Sequence, residues 1–597
     1  MKKIIFVQII YLFLSISYAQ NVIRVPFNYP TIQGAIDAAN SGDTIKVDKG
    51  VYVENISLTK NGIIILSTSP KEETIIDGSN AFTTFFCSGN GNRINGFTIR
   101  NGKATFGGGI YCDGESSFMN ILIENNIALD AGGGIYSNGN STYSDVIIQG
   151  NLVERNYSSG MPTIYGGGGV YFSKNSHSIL NNVVINNNSC QYGGGVMVGS
   201  EMDLQSNPTF NNVTIINNNS TGRGGGIYIN ISNLELDGIK IINNYAKLAG
   251  GGIYTSHDNL ILYNSIICNN KTDGDGGGIN CANIAQILNS TISFNVANKG
   301  GGIFITGVSP NFQSVVVTNN NANEGSGIFK TSQEGGSVSN SNFLNNRYGV
   351  YNSTTSYLFD GRNNWWGDTS GPFHPTQNIN GKGDTVNTYV NINPFSLTAF
   401  SETPPIPVQN ISSIYITSNL IHLTWDPSPQ NNVLYYKLYY STSPVEDYNY
   451  QNSVIIGNDT NYILNNLEPS TKYYFTITCF NQNNIESWFA DETNFTTNST
   501  TNINETENKP VDYNLFQNYP NPFNATTIIR YAISKNSSVS IKVYDIRGRE
   551  IKSWFYNNQE NGYYELLFDA KMISSGVYYY KIETPEFLQT KKMILLK

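Results

Sequence analysis

VTIINNNSTGRGGGIY, from Val213 to Tyr228, holds one complete repeat of this chain. An apolar alternation runs into asparagines, a short polar stretch follows, and Gly224-Gly225-Gly226 leads into Ile227 and an aromatic residue. The Gly-Gly-Gly-(Ile/Val) tract recurs, ending at Ile110, Ile135, Val170, Val196, Ile227, Ile253, Ile279 and Ile303. Degenerate copies end at Ile328 and Val350, so the spacing runs from 22 to 35 residues. Upstream of most copies the alternation ends in Asn: ILIENN at Asn126, VVINNN at Asn188, VTIINNN at Asn219, IKIINN at Asn244 and SIICNN at Asn270. A recurring period of this size signals stacked repeats. Asparagine tolerates a left-handed backbone and bonds locally, so at a strand end it marks a tight turn. Stacked turns then let each amide bond the next copy, making a ladder.

Two architectures compete for this period. LNNVVINNN (Leu180–Asn188) fits a leucine-rich pattern, but that fold needs a helical second half. Here the second half is GGGIY with β-branched and small polar residues, which favour strand over helix. The pattern predicts an all-β chain whose main part is a right-handed parallel β-helix solenoid, with two small β-sandwich domains behind it. At roughly 4.8 Å per coil, ten to fourteen coils would span about 50–65 Å. The repeats resemble the pectin-lyase-like superfamily, and the Gly-rich copies resemble polymorphic outer-membrane proteins. Both ends of such a stack need cover. Thr31–Ala39 has the spacing of one short amphipathic helix with Thr31 as N-cap, and NNWWGDTSGP (Asn363–Pro372) resembles a closing turn.

The chain has 597 residues, about four domains at roughly 150 residues each unless one is an elongated array. Charged residues are only 13%, about half the usual ~25%, and the net charge is −9. An acidic chain lacks the basic footprint a nucleic-acid binder needs, which excludes that class. Met1–Ala19 reads as a signal peptide: Lys2 and Lys3, an apolar run from Ile4 to Leu14, and the small-residue site Ser17-Tyr18-Ala19. That run is shorter than the ~20 residues of a spanning helix, and no later segment reaches it. The six cysteines show no CxxC spacing and read as buried small hydrophobes.

The solenoid is assigned to 20–400. Residues 404–497 form a further β-unit, with strands at Ile421–Trp425 and Val433–Tyr440. LEPSTKYYFTI (Leu467–Ile477), Trp425 and Tyr473 resemble a fibronectin type III domain, which implies a spacer or binding module. His422 and Cys479 read as strand residues there. A Thr/Asn-rich linker occupies 498–510, and 511–597 shows period-two strands at Val539–Ile546 and Gly576–Ile582. NYPNPFNATTIIRY (Asn518–Tyr531), VYDIRGREI, FDA, SSGVYYYKI and the ending TKKMILLK resemble the C-terminal sorting domain of the type IX secretion system. That resemblance implies a Gram-negative cell, partnership with the secretion machinery, tail removal, and a secreted or outer-surface-attached product.

Catalytic members of the β-helix superfamily need a base with charge stabilisation, or paired carboxyls. Their local signatures are absent here, and His177, His257 and His374 are isolated and read as surface residues. The best acidic group is Glu201, Asp203, Glu235 and Asp237, alternating with apolar residues and pointing outward. Aligning Leu236 with Leu204 would put the two pairs on neighbouring coils. No cofactor is implied; Asp273 and Asp275, in an Asp-Gly-Asp turn, could take calcium. Aromatic residues follow the glycine tract at Tyr111, Tyr136, Tyr171, Tyr228, Tyr254, Phe304, Phe329 and Tyr351. If the preceding Ile points inward these form an outward strip, useful as cross-strand stacking or as a platform for sugars or a partner protein.

The expected function is a non-catalytic adhesin or glycan-binding module, with a polysaccharide or surface protein as ligand. Two alternatives stay open: a polysaccharide lyase or glycoside hydrolase acting on acidic polysaccharide, and a structural surface filament.

Overall fold

A computed structural model describes residues 21–596 except 156–164, 175, 200–205, 231–232, 257–258, 284, 308, 446–447, 449, 500–509, 511 and 519–520. The signal-peptide segment, Glu201, Asp203 and His257 lie outside the described residues. One coil of the solenoid illustrates the rest: Ser117–Met119, Leu122–Glu124, Ile127–Ala131 and Ile135–Ser137 are four short strands on four successive faces. Each strand pairs in parallel with its counterpart one coil on, and the second face carries twelve strands, from Gly50–Val53 to Asn342–Leu344. Central residues such as Phe118 and Ile123 point inward into one continuous apolar core. The last residue of every glycine tract is a register partner of the next, from Ile110↔Ile135 through Ile328↔Val350.

The paired asparagines divide two tasks. Asn125, Asn187, Asn217, Asn243 and Asn269 hold φ of 54–56° or close to it, making the left-handed turn. The residue after each one turns inward. Nine buried asparagines, Asn126, Asn151, Asn188, Asn218, Asn244, Asn270, Asn295, Asn320 and Asn346, stack as a ladder. Within it each backbone N–H and each Nδ2 donates to the next Oδ1, at 2.9–3.1 Å and 2.9–3.2 Å. Nδ2 also donates to a carbonyl on the coil behind, as Asn218 does to Ile185 at 2.9 Å. The rung in VTIINNN is therefore Asn218, one residue before the Asn219 that ends the motif.

The glycine tract lies against this ladder. Gly107 takes φ 61°, and a Cβ on Gly109 would sit 2.6 Å from the Gly134 carbonyl and 2.8 Å from Asn126 Nδ2. Backbone and ladder approach so closely that no side chain fits, which is why the glycines come in threes.

Helix α1 (Ile32–Ala38) covers the first coil with Ile32, Ala35 and Ile36. Thr31 Oγ1 accepts from Gly34 N–H at 3.1 Å, and the Glu54 carboxylate accepts from Ile32 and Gln33 N–H at 2.9 Å each. At the far end Trp366 is buried and stacks on Phe343 at 4.4 Å. Two short strands, Thr385–Val386 and Val390–Asn391, extend the stack beyond the expected closing turn.

The following sandwich has a three-stranded sheet (Gln409–Ile416, Leu420–Asp426, Asn461–Asn465) and a four-stranded sheet (Asn452–Ile456, Val433–Ser441, Lys472–Asn481, Thr493–Thr496). Trp425 and Tyr473 are buried, as are His422 and Cys479 on their strands. Most of this domain forms one compact unit with the solenoid. Trp488 packs on Ile216, Ile242 and Cys268 of the solenoid's second face, and Ile406 packs on Val316 and Trp365. The second unit is largely the C-terminal sandwich, whose sheets order Asn514–Leu515, Thr526–Ile533, Gly562–Asp569 and Glu550–Gln559, Ser537–Asp545, Gly576–Glu583, Leu588–Leu595.

Candidate functional site

The aromatic residues after the glycine tracts are in register along the fourth face. Tyr111 stacks on Tyr136 at 5.0 Å and 15°, Tyr136 on Tyr171 at 5.3 Å, and Tyr228 on Tyr254 at 5.2 Å. Phe304, Phe329 and Tyr351 continue the column. Met197 and Asn280 interrupt it. Tyr171, Tyr228, Phe304 and Phe329 are buried, while Tyr111, Tyr136, Tyr254 and Tyr351 are half-buried. Each ring turns its face to the next ring, so the column offers edges rather than a flat surface. Phe106, Tyr165 and Tyr192 lie over it from the neighbouring corner, burying Tyr171 and Tyr228 and pushing the Tyr228 hydroxyl well above the usual phenol range. Around Tyr171, Met197 and Tyr228 the column forms a second, outer core.

Of the four acidic candidates, Glu235 and Asp237 lie among the described residues. Glu235 and Asp237 point outward, as expected, between buried Leu234 and Leu236. Their register partners one coil on are Ile261 and Tyr263, and Asp237 accepts from Asn264 Nδ2 at 2.8 Å. Asp273 accepts from the Tyr245 hydroxyl at 2.7 Å, while burial raises the Asp275 carboxyl against the opposing pull of Lys299. Among the described residues no three His, Cys, Asp or Glu side chains gather as a metal site. His177 is exposed. His374 is buried instead of exposed: its Nδ1 accepts from Thr376 and Gln377 N–H, leaving Nε2 to donate to Val390 O at 3.1 Å.

Two clefts that periodicity did not reveal carry the remaining chemistry. The first, about 240 Å³, lies where the solenoid's Asn243, Asn269 and Phe294 meet the sandwich's Tyr448, Tyr450, Phe489, Asp491 and Glu492. Tyr448 stacks on Phe489 at 5.3 Å and 24°, and Asn269 donates to the Tyr448 hydroxyl. The Tyr450 hydroxyl donates to Glu492 at 2.6 Å. Desolvation raises the Asp491 carboxyl above its ordinary range.

The second cleft, also about 240 Å³, lies near the solenoid's end, with Arg347, Lys382, Trp366 and Asp384 among its lining residues. Asp384 terminates the ladder: its carboxylate accepts from Asn346 N–H at 3.1 Å and from Asn346 Nδ2 at 2.7 Å. Complete burial outweighs those bonds and pushes its carboxyl up to about 7. The step from Asn346 to Asp384 is 38 residues, which hid this rung from the period.

Three segments match known families in chain order. Residues 80–262 match the right-handed β-helix region, 406–491 the fibronectin type III domain and 517–596 the secretion system C-terminal sorting domain. The molecule is thus an exported protein built as a parallel β-helix with a fibronectin type III domain and a type IX sorting tail. That tail makes it a secreted or cell-surface protein that interacts with the type IX secretion system. Among the described residues no helix is long and apolar enough to cross a membrane. No curated protein matches the chain. Among solved structures, the fibronectin type-III domain of human fibronectin type III domain containing protein 3 is 21% identical, covering 18% of this chain and 95% of that one, with a TM-score of 0.15. An Fn3-like protein from Clostridium thermocellum is 21% identical, covering 15% and 92%, with a TM-score of 0.14. The FN5 domain of Drosophila Lar is 14% identical, covering 16% and 99%, with a TM-score of 0.13.

Proposed function

We propose that this protein is a non-catalytic adhesin or glycan-binding module, exported behind a cleaved signal peptide and presented outside the cell by its sorting tail. The observation that carries this reading is the junction cleft, where aromatic rings meet carboxamide and carboxylate edges. Rings pack against the apolar faces of sugars while such edges bond their hydroxyls. At about 240 Å³ the cleft is smaller than the roughly 300–1,000 Å³ of sites for drug-sized ligands, so one sugar ring is the unit it would hold. The test is a glycan array with the full chain, alongside chain-length analysis of pectins, alginates and glycosaminoglycans after incubation. Binding without shortening is the expected result; absence of binding to any glycan would remove the reading.

A polysaccharide lyase or hydrolase is the second reading, favoured by Asp384. Its buried carboxyl, pushed up to about 7, falls in the protonation range of a general base, and Lys382 and Arg347 line the same cleft as cations for an acidic sugar. Cleavage of an acidic polysaccharide that disappears in Asp384→Asn, with folding intact, would establish it in place of the first.

A further inference from the structure

The junction cleft has one chemical asymmetry. Its described lining contains two carboxylates, Asp491 and Glu492, and no lysine, arginine or histidine. Glu492 is committed on one oxygen, accepting from the Tyr450 hydroxyl at 2.6 Å and from Val445 N–H at 3.3 Å. Asp491 has no hydrogen-bond or ion-pair partner among the described residues. Three aromatic rings, Tyr448, Tyr450 and Phe489, also line the cleft, and ring faces attract cations within about 6 Å of their centres. A neutral ligand leaves the desolvated Asp491 carboxylate uncompensated in that cleft. An ammonium group compensates both carboxylates, and its bonds to them are roughly twice as strong as neutral ones.

We propose that the cleft binds an amine-bearing saccharide, with the sugar ring against Tyr448 and Phe489 and its ammonium group between Asp491 and Glu492. This rests on the glycan-binding reading and narrows it to amino sugars with a free amine. The fold favours this place for a selective site because its two walls come from different domains. Phe294 and Asn269 are held by the solenoid corner, and the tyrosines and carboxylates by the sandwich.

The experiment is calorimetric titration of the full chain at physiological salt, where long-range attraction to an acidic protein is screened. Three probes are compared: a glucosamine tetramer, the N-acetylglucosamine tetramer of the same backbone, and hexalysine. The expected result is at least tenfold tighter binding of the glucosamine tetramer than of its acetylated form, with that preference lost in Asp491→Asn. Asp491 lies at the surface, so the variant should keep its circular dichroism spectrum. Equal affinity for the two tetramers would overturn the amine assignment while leaving the glycan reading standing. Hexalysine binding without either tetramer would overturn both in favour of a basic peptide. No binding of any probe, or full retention of amine preference in Asp491→Asn, would also overturn the proposal.

Discussion

Two columns of repeated residues run along the solenoid, and they differ in what an interruption does. The asparagine ladder is polar, buried and continuous from Asn126 to Asn346. Each amide completes its neighbour's bonding, so a missing rung strands donors that water cannot reach. The aromatic column is outside the coil, held by ring contacts of about 0.5–1.5 kcal/mol, and already broken by Met197 and Asn280. Directional bonds fix register; stacked rings reward it without enforcing it. Repetition in a sequence therefore marks structure, and tolerance of breaks separates the two kinds.

The largest effect should come from breaking the ladder. Asn218→Leu leaves the backbone N–H and Nδ2 of Asn188 without their acceptor, and should destabilise the solenoid by about 3–5 kcal/mol in denaturant titration. A cost below about 1 kcal/mol would reduce the ladder to the standing of the aromatic column.

Asp384 sharpens the contrast from the other side, because it occupies the terminal rung with a carboxylate. Its folded-state value of about 7 stands above the ordinary ~3.9, so the native state holds the proton more tightly. Stability is fully present below about pH 4 and falls as pH rises to about 7. Asp384→Asn keeps the shape and acceptor of every other rung without the charge. It should flatten that dependence and add on the order of 2–4 kcal/mol at pH 8. Thermal denaturation across this range provides the check. Unchanged pH dependence in the variant would mean another group sets it.

The aromatic column should show the smallest effect. Tyr228→Leu removes a stack on Tyr254 and an edge contact with Tyr192, and should cost about 1–2 kcal/mol with coil register unchanged. Glycan binding should persist in this variant, since the account places the ligand at the junction. Abolished binding with intact folding would return the site to the aromatic face.

The difference between the columns also explains what the sequence made legible. Glycine tracts and asparagine pairs act through backbone geometry within one period, so the β-helix, its Thr31-capped helix and the ladder could be read directly. Closure of the aromatic strip was harder to read: Phe106, Tyr165 and Tyr192 each stand immediately before a glycine tract, but that position is Ala131, Arg223, Ala249, Asp275 and Lys299 in other copies. His374 appeared isolated because its partners, Thr376, Gln377 and Val390, meet it only in the irregular cap. One signal was present and missed. The second-face position that is Glu124, Gln149 and Asn186 in earlier coils becomes Ile216, Ile242 and Cys268. That switch to apolar side chains marks where Trp488 of the fibronectin-like domain packs, and hence the cleft beside it.

The central claim is that the coils stack in one continuous parallel register. Leu152 and Asn321, both exposed on the third face, are six register steps apart, through Ser189, Asn219, Tyr245, Lys271 and Val296. Spin labels at these two positions should give a single narrow distance distribution centred on about 29 Å, six spacings of ~4.8 Å. A mean displaced by a whole coil, or a broad distribution, would contradict the account.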